Sequence, residues 1–93
     1  MLKLNYSYSN LDIEVYVAAI QNETRKNIIE KYVQCRKKLK MTQAELADKA
    51  GMSRTNITRF ESGTYNPSLE MMVKIAFALG MSLDIALDKI DHI

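Results

Sequence analysis

Apolar residues recur three or four positions apart over most of residues 24–81, which predicts four amphipathic helices. The predicted helices cover residues 24–40, 42–51, 53–62 and 68–80. The positions predicted to share the inward stripe are Ile28, Tyr32, Cys35, Arg36 and Leu39 in the first helix, Leu46, Ala47 and Ala50 in the second, Ile57 and Phe60 in the third, and Leu69, Met72, Val73, Ala76 and Leu79, with Phe77 beside them, in the fourth. The pattern predicts an all-α bundle around one core.

Polar residues and glycines mark the ends of these helices. Thr42 is a predicted N-cap, and Glu45 three residues later completes a capping box, in which each side chain accepts the other residue's backbone N–H. Ser53 and Ser68 are predicted N-caps of the two following helices. Glycine accepts the left-handed conformation of a helix end, and three of the apolar runs are followed by one: Gly51, Gly63 and Gly80.

The two ends of the chain carry weaker patterns. Residues 11–21 have apolar side chains at helical spacing and are predicted to form an extra helix, whereas residues 2–8 alternate with a strand's period. Residues 82–90 fit either a helix behind a Ser82 cap or a strand with Leu83, Ile85 and Leu87 on one face. Because a lone strand leaves its backbone unpaired, two alternating ends favour strands that pair with each other, within or between protomers.

Length and composition fit one small globular domain. The chain has 93 residues, of which 47% are apolar and 26% charged. It contains no apolar run long enough to span a membrane, and its first residues lack the apolar core of a secretory signal, so a cytoplasmic protein is expected. Cys35 is the single cysteine and His92 the single histidine, so we predict no disulfide, metal site or cofactor, and no enzyme.

Charge is distributed unevenly along the chain. The formal net charge is +2, but residues 25–59 contain ten Lys or Arg and three Asp or Glu, a local balance of +7. The remaining residues contain three basic and eight acidic side chains, a balance of −5. This asymmetry indicates either a solvated helix surface or a polyanionic partner for the middle of the chain.

A short turn joins the second and third helices. Gly51 lies in this turn, "AGMS", and two short helices that cross through such a turn form a helix-turn-helix. If Ile57 and Phe60 pack inward, the opposite face of the third helix is exposed. Arginine can bind guanine through two hydrogen bonds, and threonine can contact base edges, phosphates or the thymine methyl. The residues on this face are predicted to contact DNA bases: Arg54, Thr55, Thr58 and Arg59.

Residues 28–81 resemble the lambda-repressor-like helix-turn-helix family, also called the Cro/C1 or XRE type. The resemblance is carried by "TQAELA", the turn at Gly51, "ESG", and the later "PSL" and "ALG", in the family's order and spacing. It implies an all-α, lambda-repressor-like bundle of four to five helices, here with an extra N-terminal helix and possible short terminal β-strands. It also implies sequence-specific binding of double-stranded DNA.

The resemblance implies a role for individual positions. In this family the position of Gln43, which opens the second helix, touches a phosphate, where the positive helix end also favours an anion. Arg36 and Glu61 match a semi-buried ion pair that links the first and third helices. The positions expected to reach the DNA backbone are Thr42, Gln43, Ser53, Asn56, Ser62, Tyr65 and Asn66.

The first 23 residues depart from a minimal domain of this family. They contain three acidic residues against Lys3 alone, together with Tyr6, Tyr8 and Tyr16, so DNA phosphates would repel them. We therefore expect residues 1–23 to form a dimerisation or partner-binding arm, residues 24–81 the DNA-binding domain, and residues 82–93 a C-terminal strand or short helix.

Two functions fit this organisation. The first is a transcriptional regulator, expected to be a repressor that binds a palindromic operator as a homodimer, because one recognition helix reads only a few base pairs. The second is the antitoxin of a type II toxin–antitoxin module, similar to antitoxins of the HigA type. In that case the arm would bind a small basic ribonuclease toxin, and the helix-turn-helix would autoregulate the operon.

Overall fold

The computed structural model describes residues 10–90, in which the chain forms four α-helices and no β-strand. The helices are α1 (Asn10–Lys38), α2 (Gln43–Ala50), α3 (Arg54–Ser62) and α4 (Leu69–Ala78). The predicted all-α class is therefore confirmed. The strand predicted for residues 2–8 lies outside the described residues, as does His92. None of the four helices combines the length and the apolar character needed to cross a membrane.

The two N-terminal helices expected at residues 11–21 and 24–40 are one continuous helix of 29 residues. No glycine or proline lies between the two predicted segments, so nothing interrupts the helical hydrogen bonds there. Helix α1 ends at Lys38, and Lys40 takes the left-handed conformation with φ 54° as the chain turns. The core cluster shared by the four helices draws on α1 only between Ile28 and Cys35, and Tyr16, although only 7% exposed, lies outside that cluster. The first half of α1 therefore reaches beyond the bundle, and the molecule measures 50 × 23 × 20 Å.

The predicted N-caps of the three short helices are all present. The hydroxyl oxygens of Thr42, Ser53 and Ser68 each accept the backbone N–H three residues later, at 3.0–3.1 Å. The Thr42 N–H donates in turn to Glu45 Oε1 at 3.1 Å, which completes the capping box. Gly51 and Gly63 end α2 and α3 in the left-handed conformation, with φ of 66° and 68°. These local signals place both helices of the helix-turn-helix.

The core lies where all four helices meet. Leu46 from α2, Ile57 and Phe60 from α3, and Ile75 from α4 have at most 1% of their surface exposed. From α1, the Tyr32 ring packs edge-on against Phe60 at 5.0 Å between centroids. The Tyr32 hydroxyl donates to the Met72 carbonyl at 2.8 Å, and burial raises the pKa of this phenol. Tyr32 thus joins α1 to α3 by packing and to α4 by a hydrogen bond.

The predicted inward face of α4 is partly wrong. Ile75 is fully buried, whereas three residues assigned to that face are exposed: Leu69, Val73 and Phe77, the last to 80%. Only Glu70 and Lys74 are polar between positions 69 and 79, so the apolar period does not define one face. Leu39 is also exposed, because α1 ends before it. In these places packing against the other helices, rather than local pattern, sets which side chains are buried.

Residues 82–90 form neither the strand nor the helix predicted for them. The last backbone hydrogen bond before them runs from the Met81 N–H to the Ala76 carbonyl, at 2.8 Å. Leu83 packs against the core, but the residues after it are exposed. A strand needs a neighbouring strand for its backbone groups, and the described part of this protomer offers none.

Candidate nucleic-acid interface

Helices α2 and α3 are joined by a three-residue turn and packed against each other through small and apolar side chains. The Met52 N–H donates to the Ala47 carbonyl at 2.9 Å, while Gly51 holds the left-handed conformation that reverses the chain. Leu46 and Ala47 of α2 and Ile57 of α3 are buried in the common core. This packing fixes which side of α3 faces outward.

The outward side of α3 carries all four residues predicted to contact DNA bases. Ile57 and Phe60 anchor the inner side with 0% and 1% of their surface exposed. The side chains on the outer side are exposed: Arg54, Thr55, Thr58 and Arg59. Two guanidinium groups and two threonines therefore lie on one solvent-facing helix surface, which a DNA major groove is wide enough to admit.

A partly buried ion pair ties this helix to α1. Arg36 Nε lies 2.7 Å from Glu61 Oε2, and Arg36 Nη2 lies 3.0 Å from Glu61 Oε1. The two side chains are only 12% and 7% exposed, so water screens the pair weakly. Arg36 Nη1 also donates to the carbonyl of Met41 at 2.8 Å, just before α2. The pairing implied by the family resemblance is present, and one guanidinium connects α1, the α1–α2 turn and α3.

Gln43 extends this network to the outer face of α3. Gln43 Nε2 donates to Glu61 Oε1 at 3.0 Å, and Gln43 Oε1 accepts from the Thr58 hydroxyl at 3.1 Å. An amide with one fixed donor and one fixed acceptor has a defined orientation. The side chains at the start of α2 and in the middle of α3 are therefore positioned together, before any ligand arrives.

These features agree with a comparison of the sequence with known families. The helix-turn-helix family matches residues 34–85, which include α2, α3 and α4. The chain belongs to the helix-turn-helix family. The Cro/C1-type resemblance noted from the sequence is thereby confirmed.

Two curated relatives of this helix-turn-helix protein are phage repressors. The chain is 44% identical over 57 residues to the cryptic phage CTXphi transcriptional repressor RstR of Vibrio cholerae, a match that covers 61% of this chain and 51% of the repressor. It is 44% identical over 48 residues to the immunity repressor protein of Bacillus phage phi105, covering 52% of this chain and 33% of that protein. The matches thus span about half or less of these repressors' own lengths.

One solved structure shares the fold over nearly the whole chain. It is that of a toxin–antitoxin module from Streptococcus pneumoniae, and it superposes with a TM-score of 0.63 over 95% of this chain and 97% of its own. Sequence identity is 21%, so this likeness shows the fold alone. The shared fold includes most of the long α1.

The residues predicted to reach the DNA backbone lie around the helix-turn-helix, and all are exposed or half-buried. Several already have partners within the protein. The Tyr65 hydroxyl donates to Met71 Sδ at 2.9 Å, and the Ser62 hydroxyl donates to the Arg59 carbonyl at 2.6 Å. Contact of the predicted set with phosphate stays a prediction: Thr42, Gln43, Ser53, Asn56, Ser62, Tyr65 and Asn66.

Arg25 helps to position this surface, a role that the sequence analysis did not predict. From α1, its Nε donates to the Gly63 carbonyl at 2.9 Å, and its other nitrogens donate to the side-chain oxygens of Asn66 and Asn22. It thus holds the end of α3 and the loop that follows. Nothing in the local pattern distinguishes Arg25 from the other basic residues of α1, because its partners in the loop, Gly63 and Asn66, are 38 and 41 residues away.

Arg59 is also held by a neighbour outside α3. Its guanidinium carbon lies 4.7 Å from the centroid of the Tyr65 ring, a cation–π contact. This contact limits the directions that the long arginine side chain can take. An arginine fixed in this way loses less conformational entropy when it binds a base.

Within residues 12–90 no three His, Cys, Asp or Glu side chains are grouped as metal ligands. The most perturbed carboxyl group near the interface is Glu45. Hydrogen bonds from the backbone and hydroxyl of Thr42 lower the pKa of Glu45. This shift belongs to the helix cap and reflects stabilisation of the charged form rather than acid–base chemistry.

Proposed function

We propose that this protein is a dimeric repressor that binds a palindromic operator in double-stranded DNA and reads the major groove with α3. The observation that carries the proposal is the outer face of α3, where two arginines and two threonines are exposed on a helix fixed by a partly buried ion pair. The similarity to two phage repressors supports it. A cytoplasmic location, with no catalytic activity, fits this role.

The geometry suggests a division of labour between α2 and α3. Arg54 and Arg59 have the planar, two-pronged donors that match guanine, and Thr55 and Thr58 suit a thymine methyl or a polar base edge. Gln43 stands at the N-terminus of α2, where the helix dipole attracts a phosphate, and its hydrogen bond with Thr58 couples the two helices. Phosphate binding by α2 would set the register in which α3 meets the bases.

The decisive experiment is selection of preferred sites from random DNA, with Arg59→Ala compared to the wild type. We expect Arg59→Ala to lose about 1–3 kcal/mol on the preferred site and to relax the preference at one base position. The matched control is Lys74→Ala, which removes the same charge from an exposed residue of α4. Gln43→Ala should weaken the binding of the preferred site and of non-specific DNA about equally.

An unchanged base preference in Arg59→Ala would show that Arg59 does not read a base. Equal losses in Arg59→Ala and Lys74→Ala would show that the arginine acts through charge alone. The absence of any preferred site for the wild-type protein would overturn the proposed function itself.

A second candidate function, an antitoxin, is favoured by the first half of α1. This segment, together with the residues before it, is the proposed protein-contact arm, residues 1–23. Its exposed apolar side chains include Ile13, Val15, Val17 and Ile20, on a part of the helix that lies outside the four-helix core cluster and in which Tyr16 is buried. Asp12, Glu14 and Glu23 make the arm acidic, which suits a basic protein such as a ribonuclease toxin.

Purification of the full-length protein from its native host tests this candidate. We expect a small basic protein to copurify with the full chain and to be lost when residues 1–23 are deleted. The truncated protein retains Ile29 and Tyr32 in the core, so it should still fold and bind DNA. A protein with no such partner, and with unchanged behaviour after the deletion, would remain a plain repressor.

A further inference from the structure

Residues 82–90 follow α4 as an irregular segment. They belong to no helix or strand, and no backbone hydrogen bond joins any of them to another described residue. The residues just before them are well tied, since the N–H groups of Leu79, Gly80 and Met81 all donate to carbonyls of α4. A row of free N–H and C=O groups of this kind is a template for pairing with another strand.

Large apolar residues occupy every second position of this segment from Leu83 to Leu87, and two of the three are exposed to water. Leu83 packs on the core beside α1, but Ile85 is 64% exposed and Leu87 is 97% exposed. Phe77 and Met81, at the end of α4, are exposed as well. Single exposed apolar residues are normal, whereas a series in one short stretch of chain marks an interaction surface.

We propose that residues 82–88 form an antiparallel two-stranded ribbon with the same residues of a second copy of this chain, centred on Ile85. The inference rests on the dimeric repressor proposed above and gives that dimer its interface. A two-fold axis through Ile85 brings Leu83 opposite Leu87 of the partner subunit, and Ile85 opposite its own copy. The apolar face of the ribbon then continues from Leu83 on the core.

The sequence favours this register over the registers shifted by one or two residues, because only this one keeps the aspartates away from each other and from the large apolar residues. In the register centred on Ile85, Asp84 lies opposite Ala86 of the partner subunit, and Asp88 lies opposite Ser82 of the partner subunit. The symmetric registers on either side, centred on Asp84 or Ala86, place two aspartates opposite each other. A shift by one residue in either direction places Ile85 or Leu87 opposite Asp84.

A second copy suits this segment better than an unrelated strand does. The apolar and acidic positions are complementary to themselves about a two-fold axis, which is the property of an interface made from one patch used twice. A palindromic operator requires the same symmetry from the two recognition helices. Dimerisation would therefore provide hydrogen-bond partners for the backbone groups and bury the apolar side chains at the same time.

Sedimentation of the full-length chain without DNA tests the interface. We expect Leu87→Asp to weaken self-association by about tenfold or more, because it removes two symmetric apolar pairs and leaves a charge at each site. Leu87 is almost fully exposed in the protomer, so the fold and the helical circular dichroism should not change. The control is Val15→Asp, which places the same charge on exposed apolar surface of α1.

Disulfide cross-linking tests the register itself, in a Cys35→Ser background that removes the single native thiol. Ile85→Cys should form a covalent dimer on mild oxidation, because residues directly opposite in a ribbon have Cβ atoms about 4.5–5.5 Å apart. Ala86→Cys is the control and should cross-link at least about tenfold less, because residue 86 does not face its own copy in this register.

Three results would overturn the inference. The first is a Leu87→Asp protein that remains a dimer while Val15→Asp becomes a monomer, which would move the interface to the arm. The second is cross-linking through residue 86 instead of residue 85. The third is a wild-type chain that stays monomeric, as it would if residues 1–9 paired with this segment internally. A dimer that cross-links at residue 85 but shows no DNA preference would contradict the proposed function and support the interface.

Discussion

Helix α3 and the segment after α4 use similar apolar residues in opposite ways. In α3, Ile57 and Phe60 are buried completely within the protomer, and the polar face is left for a ligand. In residues 82–90, Ile85 and Leu87 are exposed, and the backbone has no hydrogen-bond partner among the described residues. The first region buries its apolar groups within one chain, and the second leaves them exposed to solvent. We therefore expect stability to reside in the helix-turn-helix and the proposed self-association to use the segment after α4.

The contrast is sharpest between two phenylalanines. We expect Phe60→Ala to destabilise the protein by about 3–5 kcal/mol, because it empties a fully packed site against Tyr32. Phe77→Ala should change the free energy of unfolding by no more than about 0.5 kcal/mol, because Phe77 is 80% exposed. Urea unfolding at protein concentrations too low for the proposed dimer to form measures both changes in free energy. Similar losses for the two variants would contradict the division between a packed core and an associating edge.

Breaking the ion pair between α1 and α3 should cause the next largest loss of stability. Arg36→Ala leaves the Glu61 carboxylate in a site that is 7% exposed, so we expect a loss of about 3 kcal/mol. Glu70→Ala breaks the exposed pair with Lys74 on α4 and should cost about 0.5 kcal/mol or less. Thermal unfolding of the two variants measures the difference. A mild effect of Arg36→Ala would mean that water reaches Glu61 more freely than the structure shows.

Arg25 links the core region to the loop expected to meet DNA. Arg25→Ala should weaken DNA binding by about 1–2 kcal/mol, because it frees the loop from Gly63 to Asn66 and removes charge-assisted hydrogen bonds. It should also reduce the salt dependence of binding if the loop contacts phosphate. Lys26→Ala, an exposed neighbour with the same charge, is the control for field effects. Equal behaviour of the two variants would deny Arg25 a positioning role.

The smallest expected effect concerns the cap of α2. The pKa of Glu45 is lower in the folded protein than its ordinary value of 4.5, since Thr42 hydrogen-bonds the charged form. The charged Glu45 in the cap therefore stabilises the folded protein fully above that ordinary pKa. This stabilisation is lost as the pH falls through the lower pKa of the folded state. Unfolding of the wild type and Glu45→Gln, compared between about pH 3 and pH 6, should show a shallower decline in the variant. If stability fell equally with pH in the wild type and the variant, Glu45 would not be a source of the pH dependence.

Local chemistry explains which elements were predictable. The caps at Thr42, Ser53 and Ser68 depend on atoms three residues apart, so the sequence specifies them directly. The exposure of Arg54 and Arg59 follows from the spacing of Ile57 and Phe60 on a helix of fixed period. The Arg36–Glu61 pair was recognised through family resemblance, because no local rule joins residues 25 apart.

The sequence by itself determined three of the four helices nearly to the residue, the turn at Gly51 and the polar face of α3, because these depend on contacts within a few residues. Tertiary structure decided the rotation of α4, whose nearly continuous apolar run offers several possible inner faces. It also brought Arg25 to Gly63 and Tyr65 to Arg59, contacts between separate elements. Residues 82–90 form no strand within the described chain, because a strand is completed only by a neighbouring strand, which its own residues cannot supply.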